Sequence, residues 1–197
     1  HYAGYLKQGL WQASAIAPER NTLGRVVHGR RLGLWGYGRI GQRVARYAQA
    51  FGMHVSIWGS EASRARAVAD GFAAAATREE FFASADVLSL HLRLTDSTRH
   101  LIVADDLATM KADALLVNTS RAELIAPGAL EAALRAGRPG AAAIDVFETE
   151  PLPPTAPLLS LENLLPTPHI GYVEQDSYEM YFRPLFEALA QRPLKAD

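Results

Sequence analysis

The chain has 197 residues, 49% of them hydrophobic and 21% charged, enough to bury one good core in an ordinary globular domain. Its 20 Lys and Arg against 21 Asp and Glu leave a formal net charge of -1, which offers neither nucleic acid nor an anionic membrane the basic surface each favours. The lack of cysteine excludes disulfides, thiolate metal sites and cysteine nucleophiles and agrees with a cytoplasmic setting, and no run approaches the roughly 18 to 20 apolar residues of a membrane span.

The first residue is His1 rather than Met, and Tyr2 to Trp11 reads as the middle of something longer. We therefore expect a fragment or excised domain. Residues 1–13 would end an interdomain helix, 14–172 would bind a dinucleotide, and 173–197 would form a helix leading back to a missing or truncated substrate domain. Leu32 to Trp35 is an apolar run that ends in glycines. Ile40, Val44, Tyr47, Ala48 and Phe51 then recur at helical spacing until Gly52, which predicts a strand, a tight turn and an amphipathic helix.

Further on, Val55 to Trp58 predicts a strand, Glu61 to Ala69 a helix and Glu79 to Ala83 a helical turn. Val87 to Leu90, Leu115 to Val117 and Ala142 to Ile144 read as buried strands. A helix from about Pro127 to Ala136 lies between the last two, with Gly137 at its end. This alternation predicts an α/β fold of the Rossmann type, a doubly wound parallel sheet with helices on both faces. Leu164-Leu165 is extended, and from about Val173 the spacing of Tyr178, Tyr181, Phe182, Leu185 and Leu189 predicts a helix that Pro184 kinks or splits.

Gly36-Tyr37-Gly38-Arg39-Ile40-Gly41 joins the first strand to its helix. A pyrophosphate is most simply held by a helix N-terminus whose unpaired N–H groups face it, and side chains would block that approach. Gly36 permits the turn, Gly38 lets backbone reach phosphate, and Gly41 lets helix pack on strand. The next strand would end in an acid if the adenine ribose kept free hydroxyls, yet Trp58 is followed by Gly59-Ser60-Glu61. Arg64 or Arg66 could supply charge for a 2′-phosphate; equally, Glu61 could reach back, or both arginines could be solvated.

Ligands of open α/β sheets bind beyond the carboxyl ends of the strands. His91, Asn118-Thr119-Ser120-Arg121 and Asp145 fall there, with Glu148, Glu150 and His169 in the loops beyond. Taking a proton from, or giving one to, a carbinol oxygen suits a histidine near neutral pH. A carboxylate on the other ring nitrogen fixes its tautomer, and a guanidinium fork matches a 2-oxo acid. His169, Glu150 and Arg121 are the candidates for these three roles.

Val117-Asn118-Thr119-Ser120-Arg121, Asp145 to Pro151 and Thr167 to Gly171 resemble the three signatures of the D-isomer-specific 2-hydroxyacid dehydrogenases, in order. With the glycine loop, the resemblance runs from about Leu32 to Tyr172. It implies that Arg121 binds the substrate carboxylate, that His169 is the acid/base oriented by Glu150, and that Asp145 contacts the nicotinamide side of the cofactor. Thr119 and His91 join the cofactor set by the same resemblance.

Two departures stand out. Ala122 follows the arginine where the family usually has glycine, and Arg93 replaces a proline that lies beside the adenosine. NAD and NADP stay nearly level, with Gly59, Arg64 and Arg93 leaning towards NADP. The resemblance implies a hydride transfer between a nicotinamide cofactor and a small 2-oxo or 2-hydroxy acid, in a homodimer without metal. Two readings compete with it. One is a corepressor-like NAD(H) sensor on the same fold; the other is a phosphoglycerate or formate dehydrogenase, the latter disfavoured because formate enzymes carry glutamine where Glu150 stands.

Overall fold

A computed structural model describes residues 2–10 and 24–191. The expectations placed on residues 11–23 and 192–197, including the end of the interdomain helix, lie outside the described residues. Seven strands form one sheet: β1 (Arg31–Trp35), β2 (His54–Trp58), β3 (Ala73–Ala74), β4 (Val87–Leu90), β5 (Leu115–Asn118), β6 (Ala141–Ile144) and β7 (Leu164–Pro166). Their order is β3-β2-β1-β4-β5-β6-β7, and every neighbouring pair is parallel. The chain winds outward from β1 in one direction and from β4 in the other, so the crevice beyond their ends is where such sheets bind ligands.

The helices are α1 (Tyr2–Lys7), α2 (Arg39–Ala50), α3 (Glu61–Ala69), α4 (Arg78–Ser84), α5 (Ala104–Thr109), α6 (Ala129–Arg135) and α7 (Gln175–Ala190). Strand alternation sorts the core into two clusters. Leu32 and Leu34 of β1 pack with Ala45 and Ala48 of α2 and Ala67 of α3. On the opposite face Trp35, Leu88, Leu90 and Leu116 pack with Phe81 and Phe82 of α4, Leu107 of α5 and Leu134 of α6. Gly33 lies on this second face, where an added Cβ would stand 2.9 Å from the Phe81 ring. Helices therefore cover both faces at the β1 end.

Three expectations need correction. The buried face of α2 is Gly41, Ala45 and Ala48, while Ile40, Tyr47 and Phe51 of the predicted stripe are exposed. A helix that starts hard against its strand must present small residues to it, so size overrides hydrophobicity there. Pro184 does not split the last helix, which runs from Gln175 to Ala190 as one element, with none of its residues buried. The helix expected from Pro127 begins at Ala129, after Gly128. The short α5 and β3 escaped the sequence reading because neither is long enough to show a period.

Candidate active site

The three glycines of the loop after β1 meet different neighbours. Gly36 has φ +106 and an added Cβ would stand 2.6 Å from the His91 carbonyl oxygen, while one on Gly41 would stand 2.3 Å from the Gly36 carbonyl oxygen. A Cβ on Gly38 would meet nothing within 4 Å. Gly38 is the N-cap of α2 and makes no side-chain cap bond, so the first N–H groups of the helix are free for an outside acceptor. The cavity in front of them, about 830 Å³, is lined by Gly38 to Gly41, His91, Arg93 and Thr119 to Arg121. Open space at Gly38 and a bare helix N-terminus fit a dinucleotide pyrophosphate.

The loop is held from below. Gly36 N–H donates to the Trp58 carbonyl (2.9 Å), and Tyr37 N–H donates to Ser63 Oγ (3.2 Å). The Tyr37 ring is buried and its hydroxyl donates to Asp70 (2.8 Å). Burial, then that bond, push the phenol up to about 12, so it stays a neutral donor. Ser60 caps α3 by accepting from Ser63 N–H (3.3 Å).

Beyond the end of β2 a second cavity, about 410 Å³, is lined by Trp35, Trp58, Gly59, Ser60, Arg78 and Leu101 among others, with no carboxylate among its lining residues. The Arg64 guanidinium lies 4.8 Å from the Trp58 ring centroid, and that of Arg78 lies 5.1 Å from the Trp35 ring centroid. Arg78 is also paired with Asp106 (2.5 Å). Arg93 lines the glycine-loop cavity and not this one. Because β4 pairs with β1 and β5, the chain leaving it passes over the glycine loop, and its Leu92, Thr98 and Leu101 also border the cavity beyond β2. Arg93 directly follows Leu92, a residue that both cavities share.

At the other end of the crevice, His169 Nδ1 and Glu150 Oε2 are 2.7 Å apart. Glu150 Oε1 accepts from Phe147 N–H (2.9 Å). The His169 bond first, and the Phe147 N–H with it, hold the Glu150 carboxyl below the usual range, helped by the charge of Arg121. His169 has φ +53, a left-handed backbone that non-glycine residues seldom adopt. Asp145 is buried. Its Oδ1 accepts from Thr167 Oγ1 (2.6 Å) and Ile170 N–H (2.9 Å), and its Oδ2 accepts from Gly171 N–H (2.8 Å). Burial opposes the charge, but these bonds outweigh it and hold the Asp145 carboxyl low.

Arg121 leaves the end of β5 through a fixed turn. Asn118, buried, donates from Nδ2 to the Arg121 carbonyl (2.9 Å) and accepts at Oδ1 from Ser120 N–H (3.0 Å). Ser120 Oγ donates to the Leu90 carbonyl (2.7 Å). Arg121, Glu150 and His169 line one cavity of about 270 Å³, and Arg121 also borders the glycine-loop cavity. His91, whose Nε2 lies 3.0 Å from Ser89 Oγ, is pushed by burial below its ordinary value and so faces the crevice as a neutral imidazole. Asn118 and Thr167 fell within segments picked out from the sequence but were given no role of their own, and Ser63 was not singled out. A polar residue closing an apolar strand, as in Leu116-Val117-Asn118, was the one signal available for the first of them.

The structure brings the residues expected at the site to the carboxyl ends of the strands, divided between the cavity beyond β2, the glycine loop and the cavity that holds Glu150 and His169. A sequence model described as D-isomer specific 2-hydroxyacid dehydrogenase, NAD binding domain, matches residues 1–171. The chain is 45% identical over 155 residues to a glyoxylate reductase of Aeropyrum pernix, covering 79% of this chain and 46% of that protein. It is 39% identical over 170 residues to a hydroxypyruvate reductase of Thermotoga maritima, covering 84% and 52%. A solved phosphoglycerate oxidoreductase of Vibrio cholerae superposes with a TM-score of 0.86 at 52% identity, covering 96% of this chain and 59% of that one. The chain thus spans about half the length of the curated relatives it matches.

Proposed function

The chain belongs to the D-isomer specific 2-hydroxyacid dehydrogenase family, and from that premise we propose that it serves an oxidoreductase that interconverts a small 2-oxo acid and its D-2-hydroxy acid. The observation that carries the reading is the placement of Arg121, Glu150 and His169 on one cavity whose Arg121 edge borders the glycine loop. When bound, the nicotinamide dinucleotide supplies or accepts the hydride. Arg121 holds the substrate carboxylate with its fork and directs a remaining N–H at the 2-oxygen. His169, with Nδ1 fixed by Glu150, presents Nε2 to that oxygen and gives it a proton on reduction or takes one on oxidation.

Of the two cofactors, the proposal leans to NADP, because no carboxylate lines the cavity beside Gly59 and Ser60 and the Arg64 guanidinium stands on Trp58. Arg93 lines the neighbouring glycine-loop cavity, which shares Leu92 with this one. We extend the reading, on composition and family, to a cytoplasmic homodimer. The test is an assay of the protein at its natural length with glyoxylate and hydroxypyruvate, each with NADH and NADPH. Reduction of at least one acid, lost in His169→Ala, is expected; turnover that survives His169→Ala would move the acid/base elsewhere.

A further inference from the structure

We propose that Glu123 and Glu148 make the acid/base cavity a screen against substrates that carry a second anionic group, so that it takes 2-oxo acids charged only at their carboxylate. The inference rests on the reductase reading above. It begins from the cavity wall, where Glu123 and Glu148 stand with Arg121, Glu150 and His169. Glu123 sits in the 3-10 turn Ala122–Leu124 directly after Arg121. Glu148 lies on the loop leaving β6, two residues before Glu150.

Glu150 is engaged by His169 and by Phe147 N–H. The Glu123 and Glu148 carboxylates make no hydrogen bond or ion pair among the described residues. Three carboxylates thus share the wall with one guanidinium. Once Arg121 is taken up by the substrate carboxylate, the wall keeps net negative charge. A phosphate at the third carbon would bring about two further negative charges and find no second Arg or Lys on this wall. Like charges on this open wall, where Glu123 is half-buried and Glu148 exposed, repel over the few ångströms that separate them. A hydroxyl at the same carbon meets no such penalty and can donate to either glutamate. On this ground the chain parts from the phosphoglycerate chemistry named for the Vibrio cholerae structure.

The decisive comparison is hydroxypyruvate against 3-phosphohydroxypyruvate, which differ only by the phosphate. In the natural-length protein, kcat/KM is expected to favour hydroxypyruvate by about a hundredfold at low salt. The ratio should narrow as salt screens the repulsion, a response that a purely steric barrier would not show. Glu123→Gln with Glu148→Gln should shrink it by about tenfold, equivalent to about 1.4 kcal/mol. A ratio near one, a preference for the phosphorylated acid, or a ratio unmoved by salt and by the double variant overturns the proposal. If neither acid is reduced with either cofactor, the reductase reading fails separately. The screen is then read by calorimetry with D-glycerate and 3-phosphoglycerate: tighter binding of D-glycerate that the double variant equalises supports it, while binding of neither, or no preference, overturns it.

Discussion

Asp145 brackets His169 without bonding to its ring: its carboxylate accepts from Thr167 Oγ1, two residues before the histidine, and from the N–H groups of Ile170 and Gly171, directly after it. The left-handed backbone of His169 costs on the order of 1 to 3 kcal/mol, and these three bonds offset it. Asp145 acts in this structure as the clamp of the histidine loop, in addition to any contact it makes with a cofactor.

Asp145→Asn should therefore lower both stability and turnover, with kcat falling by about tenfold or more because His169 loses its fixed position. The pH dependence has a definite sign. A carboxyl whose folded pKa is depressed stabilises the protein above the ordinary aspartate value, about 3.9, and that contribution fades as pH falls through the depressed folded value. Urea midpoints of the wild type and Asp145→Asn are expected to differ at pH 7, to begin converging below about pH 4 and to meet only once the pH has passed the depressed folded value. Midpoints that keep their full separation in acid would show that the charge of Asp145 is not what holds the loop.

His169→Ala should reduce kcat by about 10²- to 10⁴-fold while the affinity for NADH or NADPH stays within about twofold, since the acid/base stands apart from the glycine loop. Glu150→Gln is expected to keep a hydrogen bond to the ring and lose the charge, lowering kcat by at least about tenfold. Fluorescence titration and steady-state kinetics separate the two readouts. Cofactor affinity that falls in step with kcat would place His169 in the binding site instead.

Gly38 and Gly41 should behave oppositely. Gly41→Ala drives a methyl against the Gly36 carbonyl oxygen and is expected to destabilise the domain by about 1 to 3 kcal/mol. Gly38→Ala meets no protein atom within 4 Å and should leave the thermal midpoint within about 2 °C. Its methyl nevertheless projects where a phosphate would lie, and the cofactor Kd should rise by about tenfold or more, or about 1.4 kcal/mol. Unchanged affinity in Gly38→Ala would mean that the pyrophosphate does not rest on this turn.

Ser60→Asp tests the cofactor. Aspartate caps a helix as well as serine does, so α3 should persist, and the new carboxylate would face the ribose. The Kd for NADPH is expected to rise by about tenfold or more relative to that for NADH. Equal shifts for both cofactors would remove Ser60 from the recognition of the 2′ position.

Much of this was legible in the sequence because it is local. Leu32 to Trp35 followed by three glycines and a helical period announces its own geometry, and Asp145 directly after one strand and Arg121 and His169 three residues beyond two others stand where a parallel sheet must deliver them. What escaped depends on pairings between distant segments. The cavity that Arg93 lines follows from β4 lying between β1 and β5, which no local pattern states. The exposed Ile40, Tyr47 and Phe51 show the same limit, since helical spacing reveals a stripe but not which side of the helix the sheet occupies. The clamp made by Asp145 joins residues more than twenty positions apart in the chain, and nothing near Thr167 foretold it.

Two of the three tryptophans of the chain, Trp35 and Trp58, border the cavity beyond β2. The Trp58 ring stacks on Phe81 with centroids 6.3 Å apart while its other surroundings include the Arg64 guanidinium. The domain thereby carries an optical gauge at the end of its crevice beyond β2. Indole emission overlaps the absorption of a reduced nicotinamide ring, so occupancy of the crevice can be read as quenching and energy transfer in the native chain. No label or turnover is needed, and Trp58→Phe combined with Trp11→Phe can serve to isolate the signal of Trp35.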